Sequence, residues 1–255
     1  MQLLDDSLME PVFAPLAGKL VGYVQGWYGN AGDGLIHAAT LQLLETFGIR
    51  YEIVNPERQW AGAVPDGIEE LVLFGGGNMG YPSSKSIRTV AQRIPLPKTL
   101  LPQSWRAQEA APYDRIFIRE PYSQSSCPAA TLAPDLALCL KVTETIPSPS
   151  IETALFLRTD GESKFDRRGP DPAAGLGRLS HLAYIHKAAT VQTIVTDRLH
   201  FAIAGLICQR RVVLLPNAYH KNRGVFEAWL EKLGCEWACD LEEAEKLCPT
   251  LKWSL

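Results

Sequence analysis

The chain has 255 residues, 46% of them hydrophobic and 21% charged, enough to bury a substantial core as one large or two small domains. A net charge of -3 and a pI near 6.0 exclude the broad basic surface that nucleic-acid binding needs. No run approaches the roughly 18 apolar residues that cross a bilayer, and Met1 to Glu10 carries three acids and no base, so no leader peptide is expected and the protein is expected in the cytoplasm with reduced thiols.

Residues 1–18 are polar and broken by proline, and read as a loosely held arm. Lys19 to Gln25 is a short strand that runs into Gly26-Trp27-Tyr28-Gly29-Asn30-Ala31-Gly32-Asp33-Gly34. The helix that follows repeats Leu35, Ala38, Ala39, Leu41, Leu43, Leu44 and Phe47 at helical spacing. Asn30 and Asp33 suit turn and cap positions, and the glycines let backbone amides approach a ligand. Arg50 to Val54 and Leu71 to Phe74 are further strands, the latter entering Gly75-Gly76-Gly77-Asn78-Met79-Gly80. That spacing fits Gly-x-Gly-x-x-Gly. A dinucleotide site also carries an acidic residue about twenty positions on, and Lys98 to Ser104 contains none, which weakens a nucleotide reading. Ser83 or Ser84 opens a helix to Arg93, and Lys98 to Leu101 is a strand tipped by Pro102-Gln103-Ser104. Tyr113 to Arg119 is another, broken by Glu120-Pro121. At its end Arg119 can offer a guanidinium fork to a ligand carboxylate, or pair at the surface with Glu120 or Asp114.

Residues 121–133, rich in Ser, Pro and Ala, are the expected linker, giving domains over 1–121 and 122–255. Leu136 to Val142 and Thr153 to Arg158 read as strands, with Arg158-Thr159-Asp160-Gly161 as the loop ending the second. Lys164 to Gly175 is charged and rich in Pro and Gly, and is expected to be a mobile surface loop. Leu176 to Ala189 is helical, with His181 and His186 as ordinary helix residues. Helices are also expected over Val225 to Leu233 and near Leu241 to Leu247. Of the six cysteines only Cys235 and Cys239 lie close, without a second pair or a spaced histidine, so no metal site is expected.

The most informative stretch is Thr193 to Gly224. A β-branched run, Thr193 to Thr196, passes through Asp197, Arg198 and His200 into an Ala-rich helical segment and then a second strand, Val212 to Leu215. In such a βαβ unit the carboxyl ends of the strands and the first helical turn face the ligand crevice, and the helix start favours anions. Asp197 also fits a simple cap, Arg198 a surface pair and His200 a core histidine. The second strand ends in Pro216-Asn217, followed by Tyr219 to Gly224, so Lys221 and Arg223 come to the same edge. The grouping asks for a phosphate or a carboxylate.

Thr196-Asp197-Arg198-Leu199-His200 with Leu215-Pro216-Asn217 and Lys221-Asn222 resembles the C-terminal signature of the polysaccharide pyruvyl transferases. Gly29-Asn30-Ala31-Gly32-Asp33, Phe74-Gly75-Gly76-Gly77-Asn78, Pro102-Gln103-Ser104, Arg119-Glu120, Pro134-Asp135-Leu136-Ala137 and Phe156-Leu157-Arg158-Thr159-Asp160 follow the family's blocks in order, over roughly Val21 to Leu233. The resemblance implies an α/β fold of two Rossmann-like domains facing a cleft, glycosyltransferase-B-like, with the acceptor on the N-terminal side and the donor on the C-terminal side. A single large α/β sheet is the alternative. It implies an enzyme that moves the pyruvyl group of phosphoenolpyruvate onto a sugar as a ketal, in exopolysaccharide or cell-surface polysaccharide biosynthesis. The acceptor is compatible with a lipid-linked sugar at the inner membrane face, though no basic amphipathic helix marks such a contact.

On that reading His200, Arg198 and Arg119 are the catalytic candidates. Asn30, Asp33, Gly76, Gly77, Asn78, Gln103, Ser104, Arg158, Asp197, Leu199, Asn217 and Lys221 are the substrate-binding ones. Phosphoenolpyruvate carries nearly three negative charges, which cations must offset, and ketal formation needs proton transfers that a histidine can make near neutral pH. No cofactor and no metal are implied. The competing readings are a nucleotide-sugar-dependent glycosyltransferase of the same fold and a non-catalytic sugar- or phosphate-binding module.

Overall fold

Strands that are buried on both faces read as continuous apolar runs, and such runs, Val21 to Val24, Leu71 to Leu73 and Val212 to Leu214 among them, lie in two parallel sheets whose edge strands are more exposed. A computed structural model describes residues 1–25, 30–54, 64–76, 78–80, 85–108, 112–166, 169–177 and 180–251, and the helix start expected at Ser83 or Ser84 lies outside them. The strands are β1 (Leu20–Val24), β2 (Arg50–Val54), β3 (Glu70–Leu73), β4 (Asn78–Met79), β5 (Lys98–Trp105), β6 (Arg115–Ile118), β7 (Thr131–Leu132), β8 (Ile151–Phe156), β9 (Val191–Thr196), β10 (Arg211–Leu214) and β11 (Glu236–Trp237). The helices are α1 (Glu10–Phe13), α2 (Ala31–Thr46), α3 (Lys85–Arg93), α4 (His181–Ala189), α5 (Leu199–Ile207), α6 (Lys221–Val225) and α7 (Leu241–Leu247). The protein is a mixed α/β fold of Rossmann-like character.

The chain divides into two compact units. One comprises Leu4–Gly29 and Ile36–Cys139. Its seven-stranded sheet runs β2-β1-β3-β5-β6-β7, with β4 pairing β5. Val21 and Tyr23 of β1 and Leu71 to Leu73 of β3 are almost wholly buried at its centre. The other comprises Met1–Leu3, Asn30–Leu35 and Leu140–Leu255 around a four-stranded sheet, β11-β10-β9-β8. Here α5 packs on β9 and β10 through Gly205, where a Cβ would stand 2.8 Å from Val212 and 2.9 Å from Ile194. Phe201 on the same helix meets Phe156 at 4.7 Å and Tyr184 at 5.0 Å between ring centroids.

Several expectations are corrected. The arm at 1–18 is instead a helical segment: single 3-10 turns at Asp6–Met9 and Ala14–Leu16 flank α1, and Met9, Val12, Phe13 and Leu16 are fully buried. Their i, i+3, i+4 and i+7 spacing places them on one face despite the polar composition around them. The linker at 121–133 is integral to the first sheet, because β7 pairs with β6 and a 3-10 turn, Pro121–Ser125, is capped by Glu120. The division therefore falls after Cys139 and not at 121/122. Leu136–Cys139 is a 3-10 turn and not a strand, and the helix expected over Val225 to Leu233 is a succession of α, π and 3-10 turns. Pro102-Gln103-Ser104 lies inside β5, and Leu176 to Ala189 is helical only from His181.

Candidate functional site

The register of β8, β9 and β10 sets Phe156 beside Thr196 and Thr196 beside Leu214, so the segments that follow share the carboxyl edge of the sheet. Hydrogen bonds stitch these segments together. Asp197 Oδ1 accepts from the Arg158 N–H at 2.8 Å. Asn222 Nδ2 donates to the carbonyls of Asp197 at 2.7 Å and Leu215 at 2.9 Å. Asn217 Oδ1 accepts from the Asn222 N–H at 3.2 Å, and the Ala218 N–H donates to the Glu162 carbonyl at 2.9 Å.

Three cations and three carboxylates interleave over this edge. Arg198, in extended conformation at the N-cap of α5, donates from Nε and Nη2 to Asp171 at 2.7 and 2.5 Å and from Nη2 to Asp160 at 3.0 Å. Arg158 forks onto Asp160 at 2.7 and 3.1 Å and reaches Glu162 at 2.7 Å. Lys221 Nζ meets Glu162 at 2.6 Å and lies 5.2 Å from the Tyr219 ring centroid. Asp171 is the fixed point: it also accepts from Thr159 N–H and Oγ1–H and from the Ala173 N–H. Asp171 and Ala173, expected in a mobile surface loop, are buried.

Burial works against ionisation of these acids. At Asp160 the Arg158 bond and the Arg158 and Arg198 charges overcome it and hold the carboxyl at about 2. At Glu162 the charges of Lys221 and Arg158 do the same, again to about 2. Asp171 is lowered chiefly by its Arg198 bond. Asp197 goes the other way. Burial raises it to about 6, against the Arg158 N–H and the nearby guanidinium charges. Its Oδ2 is buried without a hydrogen-bond partner among the described residues. A carboxyl so placed exchanges a proton near neutral pH.

His200 sits in the first turn of α5, half-buried, directly after the buried Leu199. The start of α2 belongs to the same unit. Asn30 bridges to Gly177, its Oδ1 accepts from the Gly32 N–H at 2.8 Å, and Asp33 Oδ2 accepts from the Asn30 N–H at 3.0 Å. Asn30 thus caps the helix start through the Gly32 N–H, while Asp33 reaches back to the Asn30 N–H.

Of the expected site residues, Arg158, Asp197, Arg198, Leu199, His200, Asn217 and Lys221 lie on this edge and its first helical turn. The cap reading of Asp197 is corrected: its carboxylate accepts from the Arg158 N–H without capping the helix, while Arg198 is oriented by Asp171 and Asp160. Arg119, Ser104, Gln103 and Gly76 of the other unit have interior roles. Arg119 is 1% exposed, with Nη1 on Asp135 at 2.8 Å and Nε on Ser104 at 2.9 Å, so its fork is held by the protein's own groups and not offered at the surface. Gln103 Nε2 donates to the Phe74 carbonyl at 2.5 Å. Gly76 has φ 76°, in the left-handed region that favours glycine, and a Cβ there would also run into Ile36 Cδ1, so backbone conformation and packing account for this glycine. Asn78 lies in β4, and Gly77 lies outside the described residues.

Asp171, Glu162 and Asn222 were not among the expected site residues. Asp171 and Glu162 stand in an aperiodic charged stretch, where only the excess of cations at the neighbouring strand ends hints that acids must balance them. Among the described residues no group of three or more His, Cys, Asp or Glu is placed to hold a metal ion. No helix among them is long and apolar enough to cross a membrane.

No family model matches the chain. A Bacillus subtilis (strain 168) protein named "Putative pyruvyl transferase EpsO" is 27% identical over 267 aligned positions, covering 80% of this chain and 83% of its own length. The chain is a distant relative of that protein. A crystal structure of a functionally uncharacterised protein of Klebsiella pneumoniae subsp. pneumoniae superposes with a TM-score of 0.68 over 92% of this chain and 97% of its own, at 21% identity. That likeness bears on the fold alone, and the fold it bears out is the α/β one.

Proposed function

We propose that this protein transfers the pyruvyl group of phosphoenolpyruvate to a sugar of a polysaccharide or its precursor, forming a ketal and releasing phosphate. The observation that carries the reading is the joining of Arg158, Arg198 and Lys221 at one strand edge with His200 in the adjoining helical turn. The distant kinship to a protein named as a pyruvyl transferase supports it. In this reading Arg198 and Lys221 hold donor oxygens together with Arg158. Asp160, the most exposed of the three acids, and Glu162 yield to the donor, while the buried Asp171 keeps Arg198 aimed. His200 delivers the proton that the methylene carbon of the donor gains as it becomes the pyruvyl methyl, or takes one from an attacking hydroxyl, a task no arginine can perform at its pKa.

The C-terminal unit holds the donor and the other unit the acceptor, a division of labour of the glycosyltransferase-B-like kind. Once Asp160 and Glu162 yield, Arg158, Arg198 and Lys221 are left to offset the donor charge, and the proposed reaction uses no metal or other cofactor. The site acts in the cytoplasm, on a free or lipid-linked sugar. Purified protein incubated with phosphoenolpyruvate and candidate sugars is expected to release phosphate only when a suitable sugar is present. Nucleotide release from a nucleotide sugar, or binding without turnover, would replace this reading with a glycosyltransferase or a binding module.

A further inference from the structure

The start of α2 does more than cap a helix. A Cβ on Gly32 would stand 2.9 Å from His200 Cβ and 3.0 Å from His200 Nδ1, so this backbone lies directly on the imidazole. Real Cβ atoms do not approach so closely, and His200 Cβ is fixed to the backbone of α5, so an added methyl must displace one of the two. Gly32 is itself held. Its N–H donates to Asn30 Oδ1, Asn30 N–H donates to Asp33, and Asn30 bridges Gly177 on the chain leading into α4.

We infer that Gly32 is a positioning residue for His200: the bare backbone of the first turn of α2, locked by Asn30, forms the wall that fixes the imidazole for proton transfer. This rests on the proposed pyruvyl transfer for its catalytic consequence, but the contact itself is independent of it. The small residue is required because the imidazole occupies the space a side chain would need. Gly32 touches neither donor nor acceptor in this role, so its replacement acts on turnover and leaves donor affinity alone.

The test pairs Gly32→Ala with Asn30→Ala, which loosens the same turn without adding bulk, and Asn30→Ser, which keeps an uncharged oxygen to accept the Gly32 N–H. Turnover with phosphoenolpyruvate and an active sugar is expected to fall about 10- to 100-fold in Gly32→Ala, the scale on which a displaced reacting group slows a reaction. The donor Kd should stay unchanged, and Gly32→Ala should add little to His200→Ala. The imidazole resonances of His200, assigned through His200→Ala, should shift in Gly32→Ala and Asn30→Ala and return towards their wild-type positions in Asn30→Ser. Thermal melting selects the folded variants, and if Gly32→Ala does not fold the two Asn30 variants decide. Wild-type turnover with an unmoved resonance would overturn the inference. If the wild-type protein transfers no pyruvyl group, the functional reading fails, and the position of the imidazole resonances alone still accepts or rejects the wall.

Discussion

At the scale of single residues, His200→Ala should leave a folded protein that has lost ketal formation by about 10²- to 10⁴-fold, the usual worth of acid-base assistance. A steady-state assay near wild-type turnover would make His200 a packing residue only. Glu162 competes with the donor for Lys221 and Arg158. Glu162→Gln is therefore expected to tighten phosphoenolpyruvate binding by about threefold or more, the scale of one partly exposed pair, read by calorimetry. An unchanged or weaker affinity would mean the acid does not have to yield. Asp197 offers a pH test with a definite sign. Its folded value is raised from 3.8 to about 6, so the folded state is not penalised below the lower value, and stability falls as pH rises through the higher one. Asp197→Asn keeps an acceptor for the Arg158 N–H, and should raise Tm by several degrees at about pH 8 while changing it little at about pH 4. Equal effects at both would show that the carboxyl ionises freely.

At the scale of elements, β9, α5 and β10 were legible because the sequence switches from a β-branched run to an Ala-rich helical segment and back, with charged residues confined to the junction. The strand ends then brought Arg158, Arg198 and Lys221 together through the parallel register. What was not legible depends on partners distant in sequence. Asp171 becomes the anchor of Arg198 only through the path of an aperiodic loop, and Arg119 is buried only because Asp135 and Ser104 meet it. The N-terminal helical segment was hidden by its prolines and acids, although Met9, Val12, Phe13 and Leu16 carry the period. Its packing has a measurable worth. Phe13 is fully buried and stacks on Phe47 at 5.5 Å between ring centroids, so Phe13→Ala should cost about 3–5 kcal/mol in chemical denaturation. A loss near zero would return the segment to a loosely held arm.

At the scale of the whole molecule, the account joins a buried, charge-balanced edge to a donor with nearly three negative charges. Asp160, Glu162 and Asp171 all have lowered values, so their contribution to stability is present above the unfolded values near 4 and is lost as pH falls towards about 2. The same pairs should make donor binding weaken as salt rises, because partly solvated ionic contacts are screened. Turnover is expected to survive EDTA, since guanidinium and ammonium groups meet the donor charge. Complete loss, restored by magnesium, would favour a diphosphate donor held through a metal. The most direct measurement follows the carbon atoms. Phosphoenolpyruvate carrying ¹³C at its enol carbon is incubated with the protein, candidate sugars and EDTA. The account predicts a new quaternary ketal carbon on the sugar, with one phosphate released for each ketal formed. Phosphate release without a labelled sugar, or a label that stays in phosphoenolpyruvate across all sugars while a nucleotide sugar is consumed, would contradict it.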